Sequence, residues 1–219
     1  MNKRRRTGPV LIIIGAIVVL MGIGLGWYNL WDDQRAGMEA GGVIDVIAQH
    51  REEVAGSNPQ GSVAANPVVI LPAPEENLPD YVLHPEKDMP SLEIDGYRYI
   101  GTVTIPLLDL ELPIMEDWSY PLLKIAPCRY KGSAYLNNMI ICAHNYATHF
   151  GRLKNLEPGD EVIFTDMDGN MFRYKVVLME TLEKYAVEQM ESGEWDLTLF
   201  TCTLGGKTRV TVRCELITD

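Results

Sequence analysis

A chain of 219 residues, 47% of them hydrophobic, has the length for one ordinary domain plus appendages. Nineteen Lys and Arg stand against thirty Asp and Glu, for a formal net charge of −11. Lys3, Arg4, Arg5 and Arg6 are bunched at the start and no acid precedes Asp32, so the rest of the chain is more acidic still. An acidic body lacks the basic footprint that nucleic-acid binding requires, which sets that class aside.

Behind the basic head, Val10 to Leu30 is almost wholly apolar and carries no charge. As a helix this run is long enough to cross about 30 Å of hydrocarbon. Trp27, Tyr28 and Trp31 cluster at its far end as an interfacial belt, and the positive head is expected to stay cytoplasmic, with the remainder outside. A cleaved signal peptide is the competing reading, because Ala36 and Ala40 supply small residues nearby. The length of the apolar run and the aromatic belt favour an uncleaved anchor.

Asp32 to Val54 has helical spacing at Val43, Ile44, Ile47 and Val54, with Gly41-Gly42 expected to interrupt it. Ala55 to Pro90 carries seven prolines among Asn, Ser and Gly, the composition of an extended linker. Within it Val68-Val69-Ile70-Leu71 is an apolar run that could dock on a domain or cover its groove. There is no internal repeat.

From Tyr97 the pattern changes to short strands. Tyr97 to Ile105 and Leu110 to Met115 read as strands around a proline-bearing turn, and Trp118 to Ile125 as a short helical or irregular segment. Asn138 to His144 reads as a strand and Thr148 to Leu156 as a short helix. Pro158-Gly159-Asp160 turns into the strand Glu161 to Thr165, and Asp168-Gly169 is a hairpin signal before Met171 to Met179. Glu180 to Glu194 is an acidic connection, and the strands Leu197 to Cys202 and Thr208 to Ile217 close the chain. Seven or eight short strands with few helices predict a mainly β, closed barrel.

Chemistry concentrates at the ends of three of these strands. Thr198-Leu199-Phe200-Thr201-Cys202 delivers a thiol at a strand terminus, and after the turn Thr203 to Lys207 the next strand opens with Arg209. A cysteine beside a fixed cation is a plausible activated nucleophile. Upstream, Met139 to Ala143 ends in His144-Asn145. Cys, His and Arg at three strand ends could meet at one mouth of a barrel.

This pattern, Thr-Leu-Phe-Thr-Cys with a following strand-opening Arg and an earlier Ala-His-Asn, resembles the sortases, membrane-anchored cysteine transpeptidases of Gram-positive bacteria. The resemblance covers Tyr97 to the C-terminus and the anchored layout before it. It implies an eight-stranded sortase-type barrel with Cys202, His144 and Arg209 as catalytic residues, and with Thr201 and Asn145 in contact with substrate. It also implies substrates and partners: surface proteins ending in a signal like Leu-Pro-any-Thr-Gly, cut after the threonine, and an amine acceptor on a peptidoglycan precursor or another protein. The chain is thereby divided into a cytoplasmic basic head at 1–9, a single-pass anchor in the membrane lipid at 10–31, an extracellular helix and Pro-rich linker at 32–96, and a catalytic barrel at 97–219. Asp219 ends the chain without a second apolar span, which is set against the pilin-polymerising class with its C-terminal anchor and N-terminal lid.

Competitors stand beside each of these residues. His149 is expected at a helix start, His50 and His84 fall in the linker region, and Arg213 lies on the face of Arg209 but farther from Cys202. Cys142 shares a strand face with His144 and is expected to point into the barrel interior and only pack. A disulfide within Cys128, Cys142 and Cys214 is open on sequence grounds. No metal or other cofactor is expected. Asp166, Asp168 and Asn170 are better explained by a hairpin than by a calcium loop, and Glu183, Glu188, Glu191 and Glu194 are the only acidic group that leaves calcium open. Two rival functions remain: a thiol protease of the same fold, and a non-catalytic barrel that binds wall or partner proteins with Cys202 structural.

Overall fold

The computed structural model describes residues 7–57, 78–193 and 195–218. The basic head Lys3 to Arg6, the run Val68-Val69-Ile70-Leu71 with most of the linker prolines, and Glu194 lie outside the described residues.

Helix α1 runs without a break over Thr7–Ser57. Up to Arg35 the chain forms a unit of its own. Its apolar side chains from Val10 to Trp31 are exposed, Tyr28 and Trp31 lie ring to ring at 6.4 Å, and the Arg35 guanidinium sits over Trp31 at 5.6 Å. This segment is long and apolar enough to cross a membrane.

The second unit begins at Ala36 and holds the remainder of α1 together with the barrel. Gly41 and Gly42, expected to break the helix, stay helical on an exposed side where they meet nothing. Two glycines cost a helix about 2 kcal/mol relative to alanine. Tertiary packing outweighs that: Ala36, Ala40 and Ile47 are buried on the opposite side. Arg51 then fastens the helix end, donating from Nε to Asp166 O (2.8 Å) and from Nη2 to Thr165 O (2.6 Å) and Thr102 Oγ1 (3.2 Å). The compact unit that holds the barrel thus includes the second part of α1, from Ala36 onward.

Among the described residues nine strands follow: β1 Leu92–Ile94, β2 Tyr97–Ile105, β3 Leu110–Met115, β4 Cys128–Lys131, β5 Met139–Ala143, β6 Glu161–Asp166, β7 Met171–Glu183, β8 Leu197–Cys202 and β9 Thr208–Leu216. They are paired in the order β1-β2-β3-β4-β5-β8-β9-β7-β6, and β6 pairs back onto β2. β2 to β9 thus form a closed eight-stranded barrel, with β1 as an extra edge strand on β2. The structure closes the barrel where Gly101 of β2 meets Asp166 of β6. A Cβ on Gly101 would stand 2.2 Å from Thr165 O, so only glycine admits this approach.

Two strands were not foreseen and a third is longer than expected. β1 joins β2 through Asp95-Gly96, both at positive φ (52° and 79°), the backbone of an Asp-Gly hairpin turn. β4 occupies a stretch between Ile125 and Asn138 to which no element was assigned, and β7 extends four residues beyond Met179 before the short helix α3, Val187–Glu191. The short helix expected over Thr148 to Leu156 is a 3-10 helix over Phe150–Asn155. The end of the linker is part of the fold: Tyr81, in the short helix α2 at Asp80–Leu83, stacks on Tyr135 and meets Phe172 edge-on, at 5.1 Å from each ring.

Alternation along the strands separates two apolar layers. Met139, Ile141 and Ala143 of β5, Leu197 and Leu199 of β8, and Val212 and Cys214 of β9 fill the barrel interior. The alternate residues face outward. There Tyr99, Met115, Cys128, Cys142 and Met167 form a second cluster that Ile47 of α1 covers, with Phe200 packed at its edge. Cys142 accordingly belongs to the outer layer and not to the interior, because it is out of phase with Ile141 and Ala143.

Candidate active site

β5 and β8 run parallel, with Ala143 beside Thr201, so the next residues, His144 and Cys202, leave their strands at the same level. β8 and β9 run antiparallel with Cys202 directly opposite Arg209. Thr203 N–H donates to Thr208 O at 3.0 Å, making 203/208 a hydrogen-bonded pair. Cys202 and Arg209 are then a non-hydrogen-bonded pair, the kind in which side chains approach most closely. The outward phase of β8 and β9 places both side chains on the convex side of the sheet. The three residues meet on the outer surface of the barrel wall near its strand ends, rather than at the barrel mouth.

Together they line one cavity of about 180 Å³. One wall is aromatic and continuous: Trp118 lies 5.9 Å from Tyr120 and 5.4 Å from Tyr130, and Tyr130 lies 5.5 Å from Phe200 on the floor. The other wall comes from the end of β7 and from α3, through Glu183, Lys184, Ala186, Val187 and Met190. Sequence reading missed this aromatic wall. Its signal, Trp118, Tyr120 and Tyr130 close together outside any apolar period, was present but had no partner until the fold brought in Phe200.

Each of the three side chains is half-buried. Arg209 donates from Nη1 to Gly206 O and Thr208 O, both at 3.1 Å, which aims the guanidinium and leaves its other donors for a ligand. The turn that carries it is held by Thr203 Oγ1 against Thr208 Oγ1 at 2.9 Å, and by Gly205 and Gly206 at φ of 83° and 69°. Thr201 faces the interior and donates its hydroxyl to Ala143 O at 2.9 Å, tying together the strands that carry Cys202 and His144. Asn145 is half-buried in the loop after His144, outside the cavity lining. The Tyr146 ring packs against the His144 imidazole at 5.0 Å.

The competing residues are elsewhere. His149 is fully buried behind Tyr146 at 5.5 Å between rings, and His84 lies 3.6 Å from Glu86 on the surface. Arg213 is 1% exposed and pairs with Glu180 at 2.7 Å, so it is a buried anchor and not an exposed strand residue. Burial pushes the Cys128 and Cys214 thiols up to about 12, and pushes Cys142 up as well, with Cys128 and Cys202 adding to it. Those three are held as neutral thiols at physiological pH. Asp166 accepts from Asn170 N (2.9 Å), Asn170 Nδ2 (2.8 Å) and Tyr135 OH (2.7 Å), the bonding of a closed turn. Glu191 is engaged by Lys131 and by Tyr130 OH.

A sortase domain model matches residues 103–217, more than half of the sequence. The chain belongs to the sortase family. No curated protein matches it in sequence. Among solved structures, this sortase is similar to sortase C1 of Streptococcus agalactiae, with 23% identity over 58% of this chain and 72% of that one and a TM-score of 0.51. It is also similar to the pilus island 1 sortase C2 of group B Streptococcus, with 24% identity, 58% and 77% coverage and a TM-score of 0.50. Likeness at this level of identity is a likeness of fold. Family membership makes the protein a cysteine transpeptidase with a closed β-barrel, and the long apolar helix fits a membrane anchor.

Proposed function

We propose that this sortase cleaves a C-terminal sorting signal of the Leu-Pro-any-Thr-Gly kind on surface proteins and joins the new acyl end to an amine, on a peptidoglycan precursor or another protein. The observation that carries this reading is the lining of a single groove by Cys202, His144 and Arg209, the residues that match the family's motif. The proposed topology is a single pass with the head cytoplasmic and the barrel outside, supported by the basic residues before the apolar run and the aromatic belt after it.

In this mechanism the Cys202 thiolate attacks the threonine carbonyl carbon. The carbonyl electrons move to oxygen, and the Arg209 donors left over from the turn stabilise that oxyanion. As the carbon–nitrogen bond breaks, His144 in its imidazolium form gives its proton to the departing glycine amine. A thioester on Cys202 remains. The acceptor amine attacks it, neutral His144 takes the amine's proton, and Cys202 leaves as thiolate. Thr201 contributes by fixing the two strand ends, and Asn145 by shaping the loop that follows His144. The aromatic wall offers apolar contact to the leucine and proline of the signal.

The test is incubation of the full-length protein in detergent with a Leu-Pro-any-Thr-Gly peptide library, with and without amines, followed by mass spectrometry. A fragment beginning near Tyr81 is unsuitable, since it would strip Ile47 and Arg51 from the outer layer. The expected products are an acyl adduct on Cys202 and peptides joined to the amine, with turnover down at least about 10⁴-fold in Cys202→Ala. Free acid alone, whatever the amine, would replace this reading with a thiol protease.

A further inference from the structure

Besides Cys202, three thiols take no part in that reaction. Cys214 stands apart, on the inner face of β9 opposite Leu197 and Val176. Cys128 and Cys142 are directly opposed residues of the antiparallel pair β4–β5, and both face the outer layer. Opposed residues of such a pair have Cα atoms about 4.5–5.5 Å apart and Cβ atoms in a similar range. A disulfide needs Cα atoms about 4.4–6.8 Å apart and Cβ atoms about 3.5–4.5 Å apart. The backbone already meets the first requirement, and a shift of about 1 Å or less meets the second.

No other pairing meets these requirements. Cys142 is opposite Phe200 on the parallel strand β8, so Cys202 lies two residues further along, with Cα atoms about 8 Å apart and beyond the reach of a bridge. Cys214 points to the other side of the sheet from both.

We propose that Cys128 and Cys142 form a disulfide in the mature protein, a cross-strand staple beneath the floor of the groove that leaves Cys202 as the one thiol lining it. The need for an oxidising compartment rests on the outward topology proposed above. The staple lies where the barrel is weakest. β4 has four residues, meets β3 at the single pair Met115 and Cys128, and is bulged against β5 after Arg129. That strand also carries Tyr130 of the aromatic wall and Lys131, which holds Glu191 of α3.

The bond is made before burial is complete, because both folded thiols are held protonated and thiolate is the attacking species. In the unfolded chain one thiolate attacks the disulfide of an external oxidant, a disulfide oxidoreductase or oxidised glutathione, and releases one thiol from it. The second cysteine then attacks the mixed disulfide and releases the other. Two protein thiols are oxidised and one external disulfide is reduced.

Full-length protein taken from a bacterial surface is denatured in iodoacetamide without reductant and digested with trypsin, which places the four cysteines on separate peptides, 125–129, 132–152, 185–207 and 214–219. The expected result is 125–129 joined to 132–152, with Cys202 and Cys214 alkylated. A bridge to Cys202 or Cys214 would overturn the proposal. A second arm refolds the reduced full-length chain in glutathione redox buffer. Four free thiols there overturn the geometric argument without touching the topology. The bridge after refolding but four free thiols from the cell overturns the mature disulfide and the outward topology together. Reduction should lower the melting temperature by roughly 6–12 °C in the wild type and not in Cys128→Ala/Cys142→Ala; an equal shift in both would count against the staple.

Discussion

The outer face of β8 and β9 has two ends, each with an arginine, and they differ in what lies above them. At the Arg213 end the connection through α3 covers the sheet. Arg213 donates from Nε to Glu180 Oε1 (2.7 Å), from Nη1 to Met190 O (2.9 Å) and Thr198 Oγ1 (3.0 Å), and from Nη2 to Gln189 O (2.6 Å). Four residues away, Arg209 uses one nitrogen on its own turn and faces an open groove with Cys202 across the strand. Strand, face and side chain are the same. A guanidinium saturated by protein holds structure, and one left unsaturated beside a thiol is available to a substrate. The two are linked, since Arg213 grips the carbonyl of Met190, which lines the groove that Arg209 serves.

The comparison can be broken by exchanging the two losses. Arg209→Ala is expected to lower kcat/KM by about 10²–10³-fold, the scale of a lost oxyanion donor, with a change of less than about 1 kcal/mol in unfolding free energy. Arg209→Lys should fall between, keeping charge but not the planar fork. Arg213→Ala is expected to cost about 3 kcal/mol of stability by chemical denaturation, because it strands Glu180 and three oxygen acceptors, while kcat of the folded fraction stays within about threefold. The contrast is lost if Arg209→Ala unfolds the protein as readily as Arg213→Ala, with activity falling only in step with the folded fraction.

How much of this was legible follows from what each residue depends on. β2, β3, β8 and β9 could be read closely because strand alternation and turn residues are local signals. The family motif marked Cys202, His144 and Arg209, and parallel β5–β8 pairing explains why residues 58 apart share a level. β4 was missed because Cys128-Arg129-Tyr130-Lys131 spans only four residues, too few for its alternation to stand out; it is a strand because β3 and β5 lie on either side. The unbroken α1 was missed because Gly41-Gly42 is a true local breaker whose cost is offset by Ile47 and Arg51, contacts made with residues 50 or more positions away. Cys142 was assigned to the wrong layer because the strand phase could be counted but not which phase faced inward. Arg213 gave no sign of burial, since Glu180 and the carbonyls of α3 reach it only through the fold.

Burial holds protons on thiols of both faces of the sheet, and this gives the smallest expected effect. Cys214, on the inner face, has its thiol pushed up to about 12 by burial, and so does Cys128 on the outer face. In the unfolded chain a thiol titrates near 8.5. Between about pH 9 and 12 the unfolded state therefore binds fewer protons than the folded one, and stability falls as pH rises, by about 1.4 kcal/mol per pH unit for each such thiol. Below about pH 8 both states keep these protons and the contribution is flat. With Cys128 and Cys142 joined, the inner-face thiol alone should drive the decline from these three groups. Cys214→Ala in the oxidised protein is then expected to flatten the denaturation midpoint between pH 9 and 10, leaving a decline that begins nearer pH 10, where the unfolded chain ionises Tyr99, held up to about 12 when folded. Reducing that variant should restore a steep slope from pH 9, because two buried outer-face thiols return. An unchanged slope after reduction would mean that Cys128 and Cys142 were thiols from the start, and the inner and outer faces would then differ in chemistry at Cys202 alone.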